Sequence, residues 1–340
     1  MTFTLRICVC LSILSVGALT QPSANRITLD VVAKDKSGKA VPGLQEQDFT
    51  VLDGKQPRKI ISFDAIAGPA SASDTNVVLL VDAVNTPFQR VAYERGELDK
   101  FLKRDDGKLN WPITIALFTD SGVNIQPSPS RDGNALAAYI DQNETGLRAV
   151  TRSQGFYGAV ERLKLSLNAL SQVCQKERTV PGRKILVWIS PGWPLLSGPH
   201  VEMTNKQEQQ TFQTIVQMSI RLREARIALY AVDPLGMSDS GETRTFYYKT
   251  FLKGVKSPQG AQLGNLGLQV LAEQSGGKVF NSNNDIAGEV EECVRDSTPY
   301  YVISYDGPRA DGPDDYHPIE VKIAGHDIKA QTRSGYYAEP

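Results

Sequence analysis

The stretch "VVLLVDAVNTPFQR" covers residues 77–90. Its apolar run shows no alternation, which predicts a short strand buried on both faces. The run ends at Asp82, and a loop of small and polar residues follows. A strand that delivers a carboxylate into such a loop often builds a cation site, so Asp82 is the first candidate residue. Thr86-Pro87-Phe88-Gln89 then reads as a helix start. Thr86 would be the N-cap, Pro87 the first helical residue, and Gln89 the partner reaching back.

Outward from this strand, strand and helix alternate. VAYERGELDKFLKR has apolar residues at roughly helical spacing, and PITIALFT is a second buried strand that turns at Ser121-Gly122. RDGNALAAYID predicts a short helix. GFYGAVERLKLSLNALSQV predicts a long one, with Val160, Leu163, Leu167 and Leu170 on one face. KILVWIS and RIALYAVD are strands separated by the helix KQEQQTFQTIVQMSIRLREA. LGNLGLQVLAEQSGG is a helix stopped at Gly276-Gly277, KVFNSNN an edge strand, and DIAGEVEECVRDS the last helix. Buried strands separated by helices imply a mainly parallel, doubly wound α/β sheet covered on both faces.

The flanks read differently. Residues 25–66 are strands and turns, with Asp53-Gly54 as a hairpin signal, and residues 67–74 are a linker by composition. Residues 299–340 return to strands. Each β piece alone is too small to bury a stable core. The economical expectation is a small β-sandwich formed by both chain ends, with an α/β domain at 75–298 inserted into it.

Residues 1–24 carry Arg6, an apolar run from Ile7 to Leu19, and the small residues Val16-Gly17-Ala18. This predicts a secretory signal peptide and an exported chain, periplasmic or extracellular. An uncleaved anchor is the alternative. No other apolar run is long enough to span a membrane. Cys8 and Cys10 would leave with the signal. Cys174 and Cys293 remain, and an exported compartment permits a disulfide between them; two buried thiols are the other reading. The 340 residues hold 41% hydrophobic and 22% charged residues at a formal charge of −1. Bulk charge therefore points to neither nucleic acid nor anionic lipid.

Several motifs together carry a resemblance. NVVLLVD with its loop, ITIALFTDSGVNIQ, GRKILVWISPG, RIALYAVD and SGGKVF resemble a von Willebrand factor type A (VWA) domain. GLQEQDFTVLDG at 43–54, the YYVISY strand and the ending Arg333-Ser334-Gly335-Tyr336-Tyr337 resemble exported bacterial "VWFA-related" proteins of the kind found in acidobacteria. The resemblance covers nearly the whole mature chain. It implies a Rossmann-like fold and says little about role.

Type A domains typically hold a divalent ion at the carboxyl end of the sheet, in a metal-ion-dependent adhesion site (MIDAS) built from three loops. In the first, D-x-S-x-S, this chain keeps Asp82 and, as last hydroxyl, Thr86; the middle position is Val84. In the second, Gln154 stands where a threonine belongs, with Thr151 and Ser153 out of register. In the third, Ser190-Pro191-Gly192 puts proline in the carboxylate's place. Magnesium requires near-octahedral oxygen ligation, which these residues do not supply. The expectation is a degenerate, metal-free site and no cofactor. Weak magnesium, calcium or manganese binding through Asp82 and Thr86 is the alternative. Asp82 would instead accept the backbone N–H groups of Val84 or Asn85 in an Asx-type turn.

No catalytic set is visible. His200, His317 and His326 lie in no motif, and the last two read as surface residues. There is no G-x-S-x-G, phosphate loop or zinc-spaced cluster. Asp311, Asp314 and Asp315 lack calcium-loop spacing and read as a solvated turn. Trp193, between Pro191 and Pro194, either anchors a partner or packs on the domain's own helices. The long polar segment 237–262 is expected over the same sheet end. The preferred reading is a non-enzymatic, adhesion-type module binding a protein partner through Asp82, Asn85, Thr86, Gln154, Ser190 and Trp193. A metal-dependent adhesion domain and an enzyme with an unrecognised site are the alternatives.

Overall fold

A computed structural model describes residues 25–68, 75–143, 155–193, 202–234, 247–281, 284–325 and 327–338. The segment read as a signal peptide lies outside them. So do Gln154, Thr151, Ser153, His200, His326 and the first part of the 237–262 segment.

The chain begins with β1 (Arg26–Lys34), where alternation turns Ile27, Leu29 and Val31 to one side. β2 (Phe49–Asp53), β3 (Gln56–Arg58) and β4 (Ser62–Ile66) follow. The central element is β5 (Asn76–Asp82), every residue of which is buried. Then come α1 (Phe88–Leu102), β6 (Lys108–Thr119), β7 (Gly122–Ile125), β8 (Ser130–Asp132), α2 (Gly133–Gln142) and α3 (Gly155–Arg178). β9 (Lys184–Ile189), α4 (Asn205–Glu224), β10 (Ile227–Val232), α5 (Leu268–Gln274), β11 (Val279–Phe280) and α6 (Ile286–Arg295) complete the α/β part. β12 (Tyr300–Asp306), β13 (Asp315–Ile323), β14 (Lys329–Gln331) and β15 (Gly335–Ala338) close the chain.

The central sheet runs β11-β10-β9-β5-β6-β7. It is parallel except for β7 and β8, which pair antiparallel with β6. The two-residue period of a strand explains why β5 is apolar almost throughout. Val77, Leu79 and Val81 enter a core beneath α1, α2 and α6. Val78 and Leu80 enter the opposite core, beneath α3, α4 and α5.

The chain ends pair with each other. β1 lies between β12 and β14, and β4 joins β12. A second antiparallel sheet runs β15-β13-β2-β3. Leu29, Val31, Ile303 and Tyr305 of the first sheet share one core with Phe49, Val51, Val321 and Tyr336 of the second. Neither chain end could form this core alone, because each sheet takes strands from both.

These two sheets sit at the amino end of the central sheet. Lys34 pairs with Asp296 at 2.7 Å, just past α6, and Arg226, just before β10, pairs with Asp30. The carboxyl end of the parallel strands therefore faces away from them. Among the described residues no helix is long and apolar enough to cross a membrane.

Two local expectations change. The helix read over LGNLGLQVLAEQSGG is shorter, because Gly267 is extended and separates a 3-10 turn at Leu263–Leu266 from α5. The described part of 237–262 is not confined to the carboxyl end of the sheet. It runs along α5, where the Tyr248 hydroxyl donates to Glu273 at 2.9 Å, and reaches the C-terminal strands, where Tyr337 donates to the Val255 carbonyl at 3.0 Å.

Candidate functional site

Asp82 ends β5 with its side chain 0% exposed. Oδ1 accepts the backbone N–H groups of Val84 at 2.8 Å and Asn85 at 2.9 Å. Oδ2 accepts Asn85 Nδ2 at 2.8 Å and Trp188 Nε1 at 3.0 Å. The carboxylate is thus held by four donors of its own chain. Asn85 Nδ2 also donates to Ser166 Oγ at 2.9 Å, tying the loop to α3. Val84 is buried in the core beneath α3 and α4.

Thr86 is not the N-cap of α1. Pro87 holds that position with an extended backbone, and its carbonyl accepts the N–H groups of Arg90 and Val91. The Thr86 side chain is buried instead, beside Glu94. Glu94 lies on the core-facing stripe of α1 between Val91 and Leu98 and is 0% exposed. Neither of its oxygens, nor Thr86 Oγ1, has a well-formed hydrogen bond among the described residues. Burial pushes the Glu94 carboxyl well above the usual range; the charges of Asp82 and Asp233 add to the rise, and the nearby Thr86 hydroxyl opposes it. A neutral glutamic acid resolves the cost of burying this charge.

Ser190 is buried at the end of β9, and its Oγ accepts the Gly192 N–H at 3.0 Å. Trp193 corrects the expectation of an exposed anchor. It is 2% exposed, donates from Nε1 to the Leu266 carbonyl at 2.7 Å, and meets Trp188 edge-on at 5.3 Å. Gln269 Nε2 donates to the Pro191 carbonyl at 3.2 Å, so α5 holds the loop down. Of the six expected contact residues, Asp82, Asn85, Thr86, Ser190 and Trp193 lie at this sheet end, and Gln154 falls outside the described residues.

The chain itself takes up most of the oxygens that a divalent ion would need here, while Thr86 Oγ1 stays without a well-formed hydrogen bond among the described residues. Both Asp82 oxygens are engaged, Val84 brings no side-chain oxygen, and Ser190 is committed to Gly192. Among the described residues no three His, Cys, Asp or Glu side chains form a metal-binding group.

Sequence reasoning missed Glu94 and two exposed tyrosines. Tyr157, in the first turn of α3, is 84% exposed, and Tyr93 is exposed on α1 with its hydroxyl donating to the Asn284 carbonyl at 2.9 Å. The available signals were an acid inside the apolar stripe of α1 and an aromatic in the opening turn of α3.

Elsewhere, Cys174 and Cys293 are buried free thiols in the two cores on opposite faces of the sheet, which excludes the disulfide in this fold. Burial pushes the Cys174 thiol up to about 12 and that of Cys293 well above its usual value. His317 is not a plain surface residue. Its Nδ1 lies 3.0 Å from Asp53 Oδ1, and its ring stacks on Tyr336. Asp314 accepts from Gln213 at 2.9 Å and Asp315 from the Asp311 N–H at 3.4 Å.

No family model matches the chain, and no curated protein matches it. Solved structures do. The SpRpn10 VWA domain is 10% identical, with 47% of this chain covering 74% of that one at a TM-score of 0.27. The pilus adhesin SpaC from Lactobacillus rhamnosus GG, in its open conformation, is 10% identical, with 88% of this chain covering 49% of that one at a TM-score of 0.41. Another crystal form of SpaC gives 9% identity and a TM-score of 0.38. The chain spans about half the length of the adhesin. The architecture itself is mixed α/β, with one mainly parallel central sheet and two antiparallel sheets.

Proposed function

We propose that the chain is an exported, non-enzymatic, adhesion-type module that presents the carboxyl end of its central sheet to a protein partner without an ion. The observation that carries this reading is the engagement of Asp82 by four donors of its own chain. Val84, Asn85 and Trp188 supply the partners that a cation would otherwise provide. The surrounding rim supports a contact face. Tyr157 and Tyr93 are exposed beside this end, and tyrosine gives large contact area at low entropic cost. The same end faces away from the two antiparallel sheets, so a partner meets no steric obstacle from them. Export rests on the N-terminal pattern, and the non-enzymatic reading rests on the lack of catalytic motifs in the sequence.

Calorimetry with magnesium, calcium and manganese tests the metal-free reading. No heat and no thermal shift are expected; saturable heat lost in Asp82→Ala would favour the metal-dependent alternative. Capture from the secretome tests the face. A protein retained by the parent chain and lost with Tyr157→Ala is the expected result, and equal retention by both would remove this surface from the proposal.

A further inference from the structure

On the outer edge of the parallel sheet, α6 passes beside β11. A cleft of about 420 Å³ opens there, lined by Lys278, Phe280, Asp285, Glu289, Glu291 and Glu292. Glu289 faces the core side of α6 and is 3% exposed, yet its Oε2 has no hydrogen-bond partner among the described residues. The cleft already shows which chemistry it accepts. Lys278 Nζ sits 4.5 Å from the centre of the Phe280 ring and 2.5 Å from Glu292 Oε1. An ammonium there gains both a carboxylate and an aromatic face. Acceptors outnumber donors around it, while no three carboxylates form a metal-binding group among the described residues. The unmet need is for a compact cation that brings its own N–H donors.

We propose that this cleft binds a primary alkylammonium group, with Glu289 as its carboxylate partner and Phe280 as its aromatic wall. Lys278 then acts as the resident competitor. The groups facing Glu289 are Asp233 just past β10, Asp285 at the N-cap of α6, Glu292 on α6, and Lys278 just before β11. Arg295 also lines the cleft, and Glu291 is paired with Arg104, just past α1. Burial pushes the Glu289 carboxyl up to about 8, with Asp233 the largest contributor among the charges. An ammonium binds the ionised form, so binding expels a proton below that pH. Apparent affinity then rises with pH, by up to about tenfold per unit, and levels off above about 8.

Calorimetry on the full chain with 1,4-diaminobutane, and separately with a lysine-rich peptide, tests this. Binding of the diamine alone supports a free amine as ligand; binding of the peptide alone supports a lysine of a protein partner. Measurements in two buffers of different ionisation enthalpy should report proton release at pH 7. Glu289→Gln should weaken binding about tenfold or more and abolish the proton release. Lys278→Ala should strengthen binding by removing the competitor, which keeps the test decisive if the glutamine variant folds poorly. No heat with either probe, or unchanged binding in both variants, would overturn the proposal.

Discussion

At Asp82 one carboxylate organises a loop, a strand and a neighbouring strand. Replacing it with alanine leaves Trp188 Nε1 and the Val84 N–H buried without their acceptor. Such losses cost about 1–3 kcal/mol per group and do not simply add. Asp82→Ala should therefore lower unfolding free energy by about 3–5 kcal/mol in urea titration, with a change in Trp188 fluorescence. The Asx turn at Asp82 was legible in the sequence, because it is local. The Trp188 hydrogen bond was not, because it depends on the β5–β9 register, which pairs Leu80 with Trp188. Glu289 gives a pH-dependent prediction at the same scale. Its folded-state value near 8 lies above the ordinary 4.5, so the folded state binds more protons between them. That contribution to stability is fully present below about 4.5 and is lost as pH rises through about 8. Glutamine cannot ionise. Melting curves should show Glu289→Gln close to the parent at pH 5 and more stable than it at pH 8.5; the reverse order would contradict the raised value.

At the scale of elements, the loop after β9 separates packing from recognition. Trp193 is clamped between Trp188 and the Leu266 carbonyl, so Trp193→Ala should cost about 3–5 kcal/mol in chemical denaturation. Tyr157→Ala removes an exposed ring and should stay within about 0.5 kcal/mol of the parent, while still affecting partner capture. If the two variants had equal stability, the division between core and contact residues would fail. The alternation of strands and helices was readable because each central parallel strand is apolar on both faces. The direction of Trp193 was not readable. Its flanking prolines restrict the loop in either case, and the deciding hydrogen bond goes to Leu266, 73 positions away. The helix start at α1 shows a related limit. Thr86 has the chemistry of a cap, but its side chain turns inward beside Glu94, and Pro87 takes the cap position.

At the scale of the whole molecule, the two chain ends share one buried polar centre. Asp53 of β2 accepts the hydroxyls of Tyr305 on β12 at 3.0 Å and Tyr336 on β15 at 2.8 Å. His317 of β13 lies 3.0 Å from its other oxygen. One N-terminal carboxylate therefore joins three C-terminal strands. Sequence pattern alone could not show it, since even the nearest partner lies 252 residues away. Asp53→Ala strands two buried hydroxyls and should cost about 3–5 kcal/mol. The informative question is whether that loss stays in the β part. Lys34–Asp296, Arg226–Asp30, Tyr337 to Val255 and Gln331 to Tyr230 tie the β part to the central domain. These ties predict one cooperative unit. In Asp53→Ala, the tryptophan signal from Trp111, Trp188 and Trp193, all in the central domain, should shift to lower denaturant together with the tyrosine signal, half of whose twelve residues lie on β12, β13 and β15. A tyrosine transition that moves alone would show instead that the chain ends unfold independently of the inserted domain.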